Sequence, residues 1–396
     1  MTSATPDNER HTAVPPWRNV RVLRIAGQVA VVLLVGLVVA FLLGNLFSAM
    51  SERRMTFDLG FLGTTAGFDI AESPIPYRAT DSYGQAFLVG LLNTLFVSFV
   101  GIILATVLGI LVGVARLSGN WLLRSVASGY VEIIRNTPLL VQLFLLYFAV
   151  LLQLPPVAES ITLPGSVFLN QRGLFLPAPG LSATFLPWLA FLGVGLLVVI
   201  AAGRFASRRT AAGRTVKYLR RLGLLAALGI AVLGWAIVGQ PPVVLERPTQ
   251  VGFNFAGGLA LSPEFTALLV GLVLYTAAFI GEVVRGGIQA VRRGQLEAAR
   301  ALGLDEGQTL RLIVFPQALR IIVPPLTSQY LNLAKNSSLA VAIGYPDLFK
   351  VGQTITNQTG QPVPVILLIM GTYLAISLGT SLLMNLYNRR VQVLER

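Results

Sequence analysis

Residues 84 to 115 read GQAFLVGLLNTLFVSFVGIILATVLGILVGVA, a run of 32 residues without a charged side chain. A helix needs about 20 residues to cross ~30 Å of hydrocarbon, so this run is long enough to span a membrane. The whole chain agrees, since 54% of its 396 residues are hydrophobic and only 12% are charged. Its mean hydropathy is +0.72. The sequence therefore predicts a membrane protein.

Apolar runs of similar length recur along the chain. Seven are clear, and an eighth, 321–343, is interrupted by polar side chains such as Lys335. The seven clear runs cover residues 24–47, 84–115, 126–152, 184–203, 222–240, 265–290 and 364–388. This pattern predicts an all-α polytopic membrane protein.

The distribution of charge predicts the orientation of the chain. The loop 204–221 carries seven basic residues and no acid, whereas 48–83 carries three arginines against five acids. Loops rich in Lys and Arg stay in the cytoplasm, so 204–221 is predicted to be cytoplasmic. The acidic loop and the nearly uncharged loops 153–183 and 241–263 are then periplasmic. Both tails are basic and are therefore also predicted to be cytoplasmic. Seven crossings would put the two tails on opposite sides of the membrane, so 321–343 must cross as well, which gives eight helices.

The excess of basic residues has a simple explanation in a membrane protein. The chain has 30 Lys and Arg against 17 Asp and Glu, for a net charge of +13. A nucleic-acid surface would need interleaved aromatic side chains on a soluble fold, so no nucleic acid is expected as a partner. Orientation and contacts with membrane lipid explain the charges instead. The first apolar run is about twice the usual length of a signal-peptide core, which favours an uncleaved anchor.

Several kinds of enzyme are excluded by residues that the chain lacks. It has no cysteine and one histidine, His11, so no His/Cys metal site, disulfide or Ser-His nucleophile is expected. No aspartate lies between 82 and 304, which disfavours a paired-aspartate intramembrane protease. None of the three lysines follows a glycine, so there is no GxxxxGK[ST] phosphate loop. We expect no enzymatic activity and no cofactor in this chain, and a separate chain must bind any ATP that drives it.

Two carboxylates, Glu132 and Glu282, lie in predicted spans, near the cytoplasmic ends. Each is followed three residues later by an arginine, Arg135 or Arg285, which is the spacing of a helical salt bridge. Both are interpreted as structural pairs. An ion-coupled secondary amino acid transporter needs ionisable groups near the bilayer midplane, so it is the less favoured alternative. A scaffold or sensor that transports nothing would share the same topology.

Two local patterns indicate how the spans pack and bend. Ala105, Gly109 and Gly113 recur at every fourth residue of the second span, which lets another helix approach closely. Pro138 lacks the amide that would bond to Ile134, so it should kink the third span. The kink is equally consistent with a gate hinge and with an ordinary bundle kink.

Residues 294–316, GQLEAARALGLDEGQTLRLIVFP, have the pattern of helix, turn, helix. An alanine-rich helix around 295–302 should end at Gly303, which can adopt the left-handed cap conformation. Asp305 and Gln308 form a capping-box pair at the start of a second helix, whose apolar stripe is Leu310, Ile313 and Val314. A helical knob of this kind, on the cytoplasmic face, is suited to insertion into a groove of another protein.

This loop resembles the EAA loop of bacterial ABC importer permeases, whose pattern is E-A-A-x3-G-x9-I-x-L-P. The matching residues are Glu297, Ala298, Ala299, Gly303, Ile313 and Pro316. Phe315 stands where the family usually has leucine.

Three more segments resemble the polar amino acid permease family, which includes permeases for His, Glu, Gln, Arg and opines. Residues 134–142 read IRNTPLLVQ against IRGTPLLVQ, 316–320 read PQALR as in the family, and 333–339 read LAKNSSL against LLKDTSL. Asn136 and Asn336 depart from the commoner pattern, which bears on substrate choice and not on the class. The long form of the chain is similar to the general L-amino acid permeases.

The resemblance implies the type I ABC importer core of five helices, with a coupling loop at 294–316. It divides the core into a first part, 84–152, and a second part, 264–396. Residues 1–83 would add a tail, one helix and a periplasmic loop, and 153–263 an inserted pair of helices with a basic cytoplasmic loop.

The resemblance also implies the function and the partners. The chain would be a multi-pass permease subunit in the bacterial inner membrane that translocates L-amino acids of a broad polar range. The partners would be a cytoplasmic ABC ATPase dimer that binds ATP, a second homologous permease forming a heterodimer, and a periplasmic amino-acid-binding protein. The EAA residues would couple the permease to the ATPase, and Arg135, Thr137 and Pro138 would form a gate or hinge.

Polar side chains inside spans are costly in lipid, so they should face the interior or water. The candidates for the passage are Asn93, Thr94, Gln142, Asn332, Lys335 and Ser337. Lys335 could attract the carboxylate of a substrate. It could equally donate to carbonyls freed near Pro324 and Pro325, or extend to the interface.

Overall fold

The computed structural model describes residues 20–52, 58–208, 213–239, 241 and 243–391. Its α-helices are α1 (Val20–Glu52), α2 (Tyr83–Ala115), α3 (Trp121–Asn136), α4 (Leu139–Phe144), α5 (Phe185–Arg208), α6 (Gly213–Val238), α7 (Pro263–Gln289), α8 (Arg293–Ala301), α9 (Glu306–Thr309), α10 (Phe315–Asn336), α11 (Leu348–Thr359) and α12 (Pro362–Val391). Two π-helical stretches, Leu145–Val150 and Leu310–Val314, extend α4 and join α9 to α10.

The helices of the described ranges match the predicted apolar runs. Six helical segments are long and apolar enough to span a membrane, and the bent pair of α3 and α4 would make a seventh. Within α6, Arg221–Ile237 is a shorter apolar helix. The interrupted run at 321–343 lies in one of the long segments, Glu306–Ile343. The predicted helical membrane fold is confirmed, while the count of eight crossings and the orientation of the tails stay predictions.

The centre of the fold is the contact between α2 and α7. Gly109 and Gly113 of α2 are buried against α7, and a Cβ at Gly109 would lie 2.5 Å from the Ile280 side chain. At Gly113 it would lie 2.8 Å from the carbonyl oxygen of Gly281. The small-residue face predicted for the second span is therefore a packing surface, where the two backbones approach closely.

The kink predicted at Pro138 is a sharp elbow. The axes of α3 and of the helix that begins at Leu139 differ by 106°. Thr137, between them, has an extended backbone, which is the conformation favoured before proline. The Gln142 side chain closes the elbow, because its Nε2 donates to the carbonyls of Ile134 and Thr137, both at 2.9 Å.

A second break follows α10. The chain continues as a 3-10 turn, Ser337–Ile343, and then Gly344 adopts a left-handed conformation with φ of +86°. In α11 the Leu348 amide donates to Thr94 of α2 at 3.0 Å. At the other end of α11, Gln358 bonds Tyr83 at the start of α2. α11 therefore lies antiparallel beside the first half of α2.

The segments on either side of α5 and α6 contain short strands that the sequence did not predict. The strands are β1 (Ile161–Leu163), β2 (Val167–Asn170), β3 (Gly173–Leu176), β4 (Ala178–Leu181), β5 (Val243–Glu246), β6 (Thr249–Val251), β7 (Asn254–Ala256) and β8 (Leu259–Leu261). Four form an antiparallel sheet in the order β1-β2-β3-β8, and the others form the pairs β4-β5 and β6-β7. β8 leads directly into α7, so this sheet lies at the start of a core helix. The proposed division into four segments stays a prediction.

Candidate coupling surface and passage

The loop predicted to couple the permease to an ATPase has the expected helix–turn–helix structure. α8 ends before Gly303, which has a φ of +74°. The Gly303 amide donates to the carbonyl of Arg300 at 2.9 Å, and the Leu304 amide to that of Ala299 at 3.1 Å. These bonds satisfy carbonyls at the end of α8 and turn the chain. The left-handed cap predicted at Gly303 is confirmed.

The second helix of the loop begins at the predicted capping box. The Gln308 amide donates to Asp305 Oδ1 at 2.7 Å, and the Asp305 amide donates to Gln308 Oε1 at 3.1 Å. α9 then passes through the π-helical stretch into α10, at the point where Pro316 supplies no amide for a regular helical bond. Local signals in the sequence therefore determine both ends of the turn.

The loop presents a mixed polar and apolar surface. Glu297 and Ala298 are exposed, whereas Ala299 is buried. Leu302, at the tip, is 79% exposed. In the predicted apolar stripe, Val314 is buried, Ile313 is half-buried and Leu310 is exposed. Pro316 and Phe315 are also exposed. An exposed apolar tip beside an acidic side chain is suited to a protein partner.

A cluster of charges joins α2, α3 and α7. Glu282 forms direct salt bridges with Arg116 and Arg285, and Arg135 lies 3.9 Å from it. Every ion pair within the described residues includes Glu282. The predicted pair of Glu282 with Arg285 is confirmed. The predicted pair of Glu132 with Arg135 is wrong, because the Arg135 side chain instead lies near Glu282 and over the ring of Phe279, both in α7.

The three residues predicted as a gate or hinge lie at this elbow. The Arg135 guanidinium lies over the ring of Phe279 at 5.1 Å from its centroid, a cation–π geometry. The Thr137 hydroxyl donates to the carbonyl of Ile133 at 2.8 Å, and Pro138 begins the next helix. These contacts join the bend to α7, and a role in gating stays a prediction.

Four of the predicted passage residues are buried and hydrogen-bonded inside the subunit. Asn93 donates to the carbonyls of Glu72 and Pro346, both at 2.9 Å. Ser337 donates to the carbonyl of Ala334 at 2.8 Å. Thr94 and Gln142 make the bonds described above. All four bond to backbone groups near helix breaks or in loops, which is a structural role for a polar side chain. The sequence alone does not distinguish this structural role from a role in the passage.

The other two candidates lie on an exposed stripe of α10. Ser328, Asn332 and Lys335 follow one another at i, i+4 and i+7, and all three are exposed. Residues at this spacing share one face of a helix. A polar face on a membrane helix does not suit lipid, so it must meet water or another protein. Asn332 and Lys335 therefore differ in surroundings from the four buried candidates.

The search for carboxylates in the spans missed Asp347, which follows the second break. Its side chain is fully buried near Thr94 and accepts bonds from the Lys350 amide at 2.8 Å and the Tyr373 hydroxyl at 3.3 Å. Asp347 thus caps α11 and ties it to α12. A hydropathy pattern could not reveal this, since the residue lies between two apolar runs.

Comparison with known proteins identifies the family. Residues 105–393 match the family described as binding-protein-dependent transport system inner membrane component. The match includes α7, the helix–turn–helix loop and α10.

Three relatives are similar over nearly the whole chain. YhdX of Escherichia coli K12, whose name describes an amino-acid ABC transporter permease protein, is 47% identical over 371 residues, with 93% of each chain covered. The general L-amino acid transport system permease protein AapQ of Rhizobium johnstonii is 43% identical, covering 92% of this chain and 91% of its own. The glutamate/glutamine/aspartate/asparagine transport system permease protein BztB of Rhodobacter capsulatus is 40% identical, with 93% of each chain covered.

Proposed function

We propose a transport mechanism for this chain, which belongs to the family of binding-protein-dependent transport system inner membrane components and is a permease subunit of an amino-acid ABC transporter of the inner membrane. The exposed helix–turn–helix loop is the observation that carries the mechanism. It supplies a surface through which a separate ATPase can act on the core helices. The partners are an ATPase and a binding protein, as the family implies.

The coupling surface consists of Glu297, Ala298, Ala299, Gly303, Ile313 and Pro316. In this proposal ATP binds only to the partner, a cytoplasmic ATPase dimer, and this chain holds no cofactor. The exposed Glu297 and the apolar tip at Leu302 enter a groove of the ATPase. Because α10 continues directly from the loop, movement of the ATPase is transmitted to a helix that carries the polar stripe.

The passage lies where this subunit meets a second, homologous permease. The exposed stripe of Ser328, Asn332 and Lys335 supports this, because a partner or water must cover it. The substrates are L-amino acids of broad and mainly polar range, as the names of the relatives suggest. A periplasmic binding protein delivers them to the loops at the start of α2 and α7, and membrane lipid surrounds α1 and the other apolar helices.

Uptake of labelled glutamate, glutamine, histidine and leucine into vesicles tests the proposal. The vesicles carry this chain with the second permease, the ATPase and the binding protein, each omitted in turn. ATP-dependent uptake that requires every component is the expected result. Uptake by this chain alone on an ion gradient would instead support the secondary transporter, which the comparisons do not favour.

The coupling loop has its own test. Glu297→Arg reverses an exposed charge, and Gly303→Pro disrupts a turn that needs a φ of +74°. Both variants should insert normally into the membrane and lose uptake. Glu159→Arg, at an exposed acid outside the loop, should keep uptake. If the two loop variants transport at the wild-type rate, this loop does not couple the permease to the ATPase.

A further inference from the structure

A charged cavity opens beside the start of α7, on the predicted periplasmic side. Its volume is about 550 Å³. Its charged lining residues are Glu72 from the loop before α2, Arg172 from the turn between β2 and β3, and Glu264 from the first turn of α7. The amide side chains of Gln171 and Asn254 also line it. The cavity therefore lies between the core helices and residues 153–263, the inserted segment.

The three charges share this cavity without forming a salt bridge. Within the described residues, all ion pairs at or below 4.0 Å involve Glu282, which lies elsewhere. Tyr147 donates its hydroxyl hydrogen to Glu264 at 2.6 Å. One oxygen of Glu72, Oε1, is buried and has no hydrogen-bond partner among the described residues. Acidic and basic side chains thus line one cavity without a direct ion pair between them.

The electrostatics of Glu72 agree with a site that needs a cation. Burial raises the pKa of this carboxyl above its ordinary value, hydrogen bonds from Ser262 act in the opposite direction, and the charge of Glu264 raises it further. The positive end of the α7 dipole stabilises both acids in part. The dipole does not explain why Arg172, an exposed cation without an ion pair among the described residues, lines the same cavity. Two carboxylates and one guanidinium around a single cavity match a ligand that carries an ammonium and a carboxylate group together.

We propose that this cavity binds the α-ammonium and α-carboxylate groups of an amino acid before it enters the membrane passage. Glu72 and Glu264 accept hydrogen bonds from the ammonium group, and Arg172 binds the carboxylate in the two-pronged geometry of a guanidinium. These groups are common to all α-amino acids, so the site admits many side chains. The proposal rests on the proposed function and gives the inserted segment a role in it.

The test measures binding of L-glutamine to the purified transporter complex without binding protein, by equilibrium dialysis. Two analogues separate the two halves of the site: 4-aminobutanamide lacks the carboxylate, and N-acetyl-L-glutamine lacks the ammonium group. The wild-type complex should prefer L-glutamine to each analogue by about tenfold or more, since a site that bonds a polar group rejects an analogue without it.

Charge-specific variants then assign the residues. Arg172→Gln should lose the preference over 4-aminobutanamide and keep the preference over N-acetyl-L-glutamine. The double variant Glu72→Gln and Glu264→Gln should show the reverse, because it removes the negative charges that bind the ammonium group. Glutamine at 264 can still accept the bond from Tyr147, so the local structure is kept. Arg247→Gln and Glu159→Gln, outside the cavity, should keep both preferences. A loss of folding would weaken the binding of L-glutamine and of both analogues together, and would not give this crossed pattern. Arg172→Lys is a milder variant, because it keeps the charge.

Unchanged preferences in the cavity variants, or a wild-type complex without preference, would overturn the assignment. ATP-driven uptake by the complete wild-type system separates this result from failure of the proposed function. If uptake is present and the preferences do not change, only the cavity assignment fails. If uptake is absent, the proposed function fails as well.

Discussion

Gln142 illustrates what a single polar residue in a span can do. The sequence placed it among the passage candidates, because polar groups avoid lipid. Its side chain instead bonds two carbonyls that the elbow at Pro138 leaves without helical partners. Which carbonyls are free depends on the angle between α3 and α4, a tertiary property that the order of residues does not specify.

Replacing Gln142 should therefore affect stability first. Gln142→Leu leaves the carbonyls of Ile134 and Thr137 unsatisfied and should destabilise the protein by roughly 1–3 kcal/mol. A lower midpoint of thermal unfolding of the purified complex would show this. Gln353→Leu, at an exposed position of α11, is the matched control and should leave the midpoint nearly unchanged. Equal midpoints for both variants would contradict the structural role.

Lys335 belongs to the other group of polar residues. Lys335→Met should lower ATP-dependent uptake by about tenfold, because the variant lacks the exposed cation that would attract the carboxylate of a substrate. The rate of uptake into vesicles is the measurement. Lys350→Met changes the nearest lysine in sequence, in α11, and should keep most activity. Full activity of Lys335→Met would support the alternative in which this lysine only bonds backbone carbonyls or extends to the interface.

At the level of elements, the seam between α2 and α7 should tolerate almost no extra volume. Gly109→Ala places a methyl group 2.5 Å from Ile280, so the helices must separate, at a cost of about 1–3 kcal/mol. Gly44→Ala, in α1, meets nothing within 4 Å and should be neutral or slightly stabilising.

The yield and thermal midpoint of the two glycine variants would compare them directly. A Gly109→Ala protein as stable as the wild type would show that the seam can shift. Such a result would also weaken the interpretation of Ala105, Gly109 and Gly113 as a close packing surface.

The elements also differ in how far the sequence predicts them. The turn between α8 and α9 was predicted in detail, because Gly303, Asp305 and Gln308 act on neighbours within a few residues. For the strands between 161 and 261 the sequence predicts only nearly uncharged loops. β3 pairs with β8, which lies far away in sequence, as in the pair Leu174 and Leu261. Strands of three or four residues have no periodicity that could reveal such a pairing.

At the level of the whole molecule, the orientation in the membrane can be tested by labelling single introduced cysteines. No native cysteine has to be replaced first, since the chain has none. Phe253→Cys lies in the turn between β6 and β7, and Leu302→Cys lies at the tip of the helix–turn–helix loop. The native side chains are 87% and 79% exposed. In cells without the ATPase, a membrane-impermeant maleimide should label Phe253→Cys from outside. It should label Leu302→Cys only after permeabilisation. The opposite pattern would reverse the orientation inferred from the basic loops.

The pairing of β3 with β8 has a consequence for the history of the chain. Leu176, where β3 ends, lies opposite Leu259, where β8 begins, so everything between them leaves and returns at one place. Two antiparallel strands can be joined by a turn of about two to five residues. A single in-frame deletion or insertion could therefore remove or add the segment from β4 to β7, which contains the α5–α6 hairpin, and a laboratory could exchange this segment in the same way.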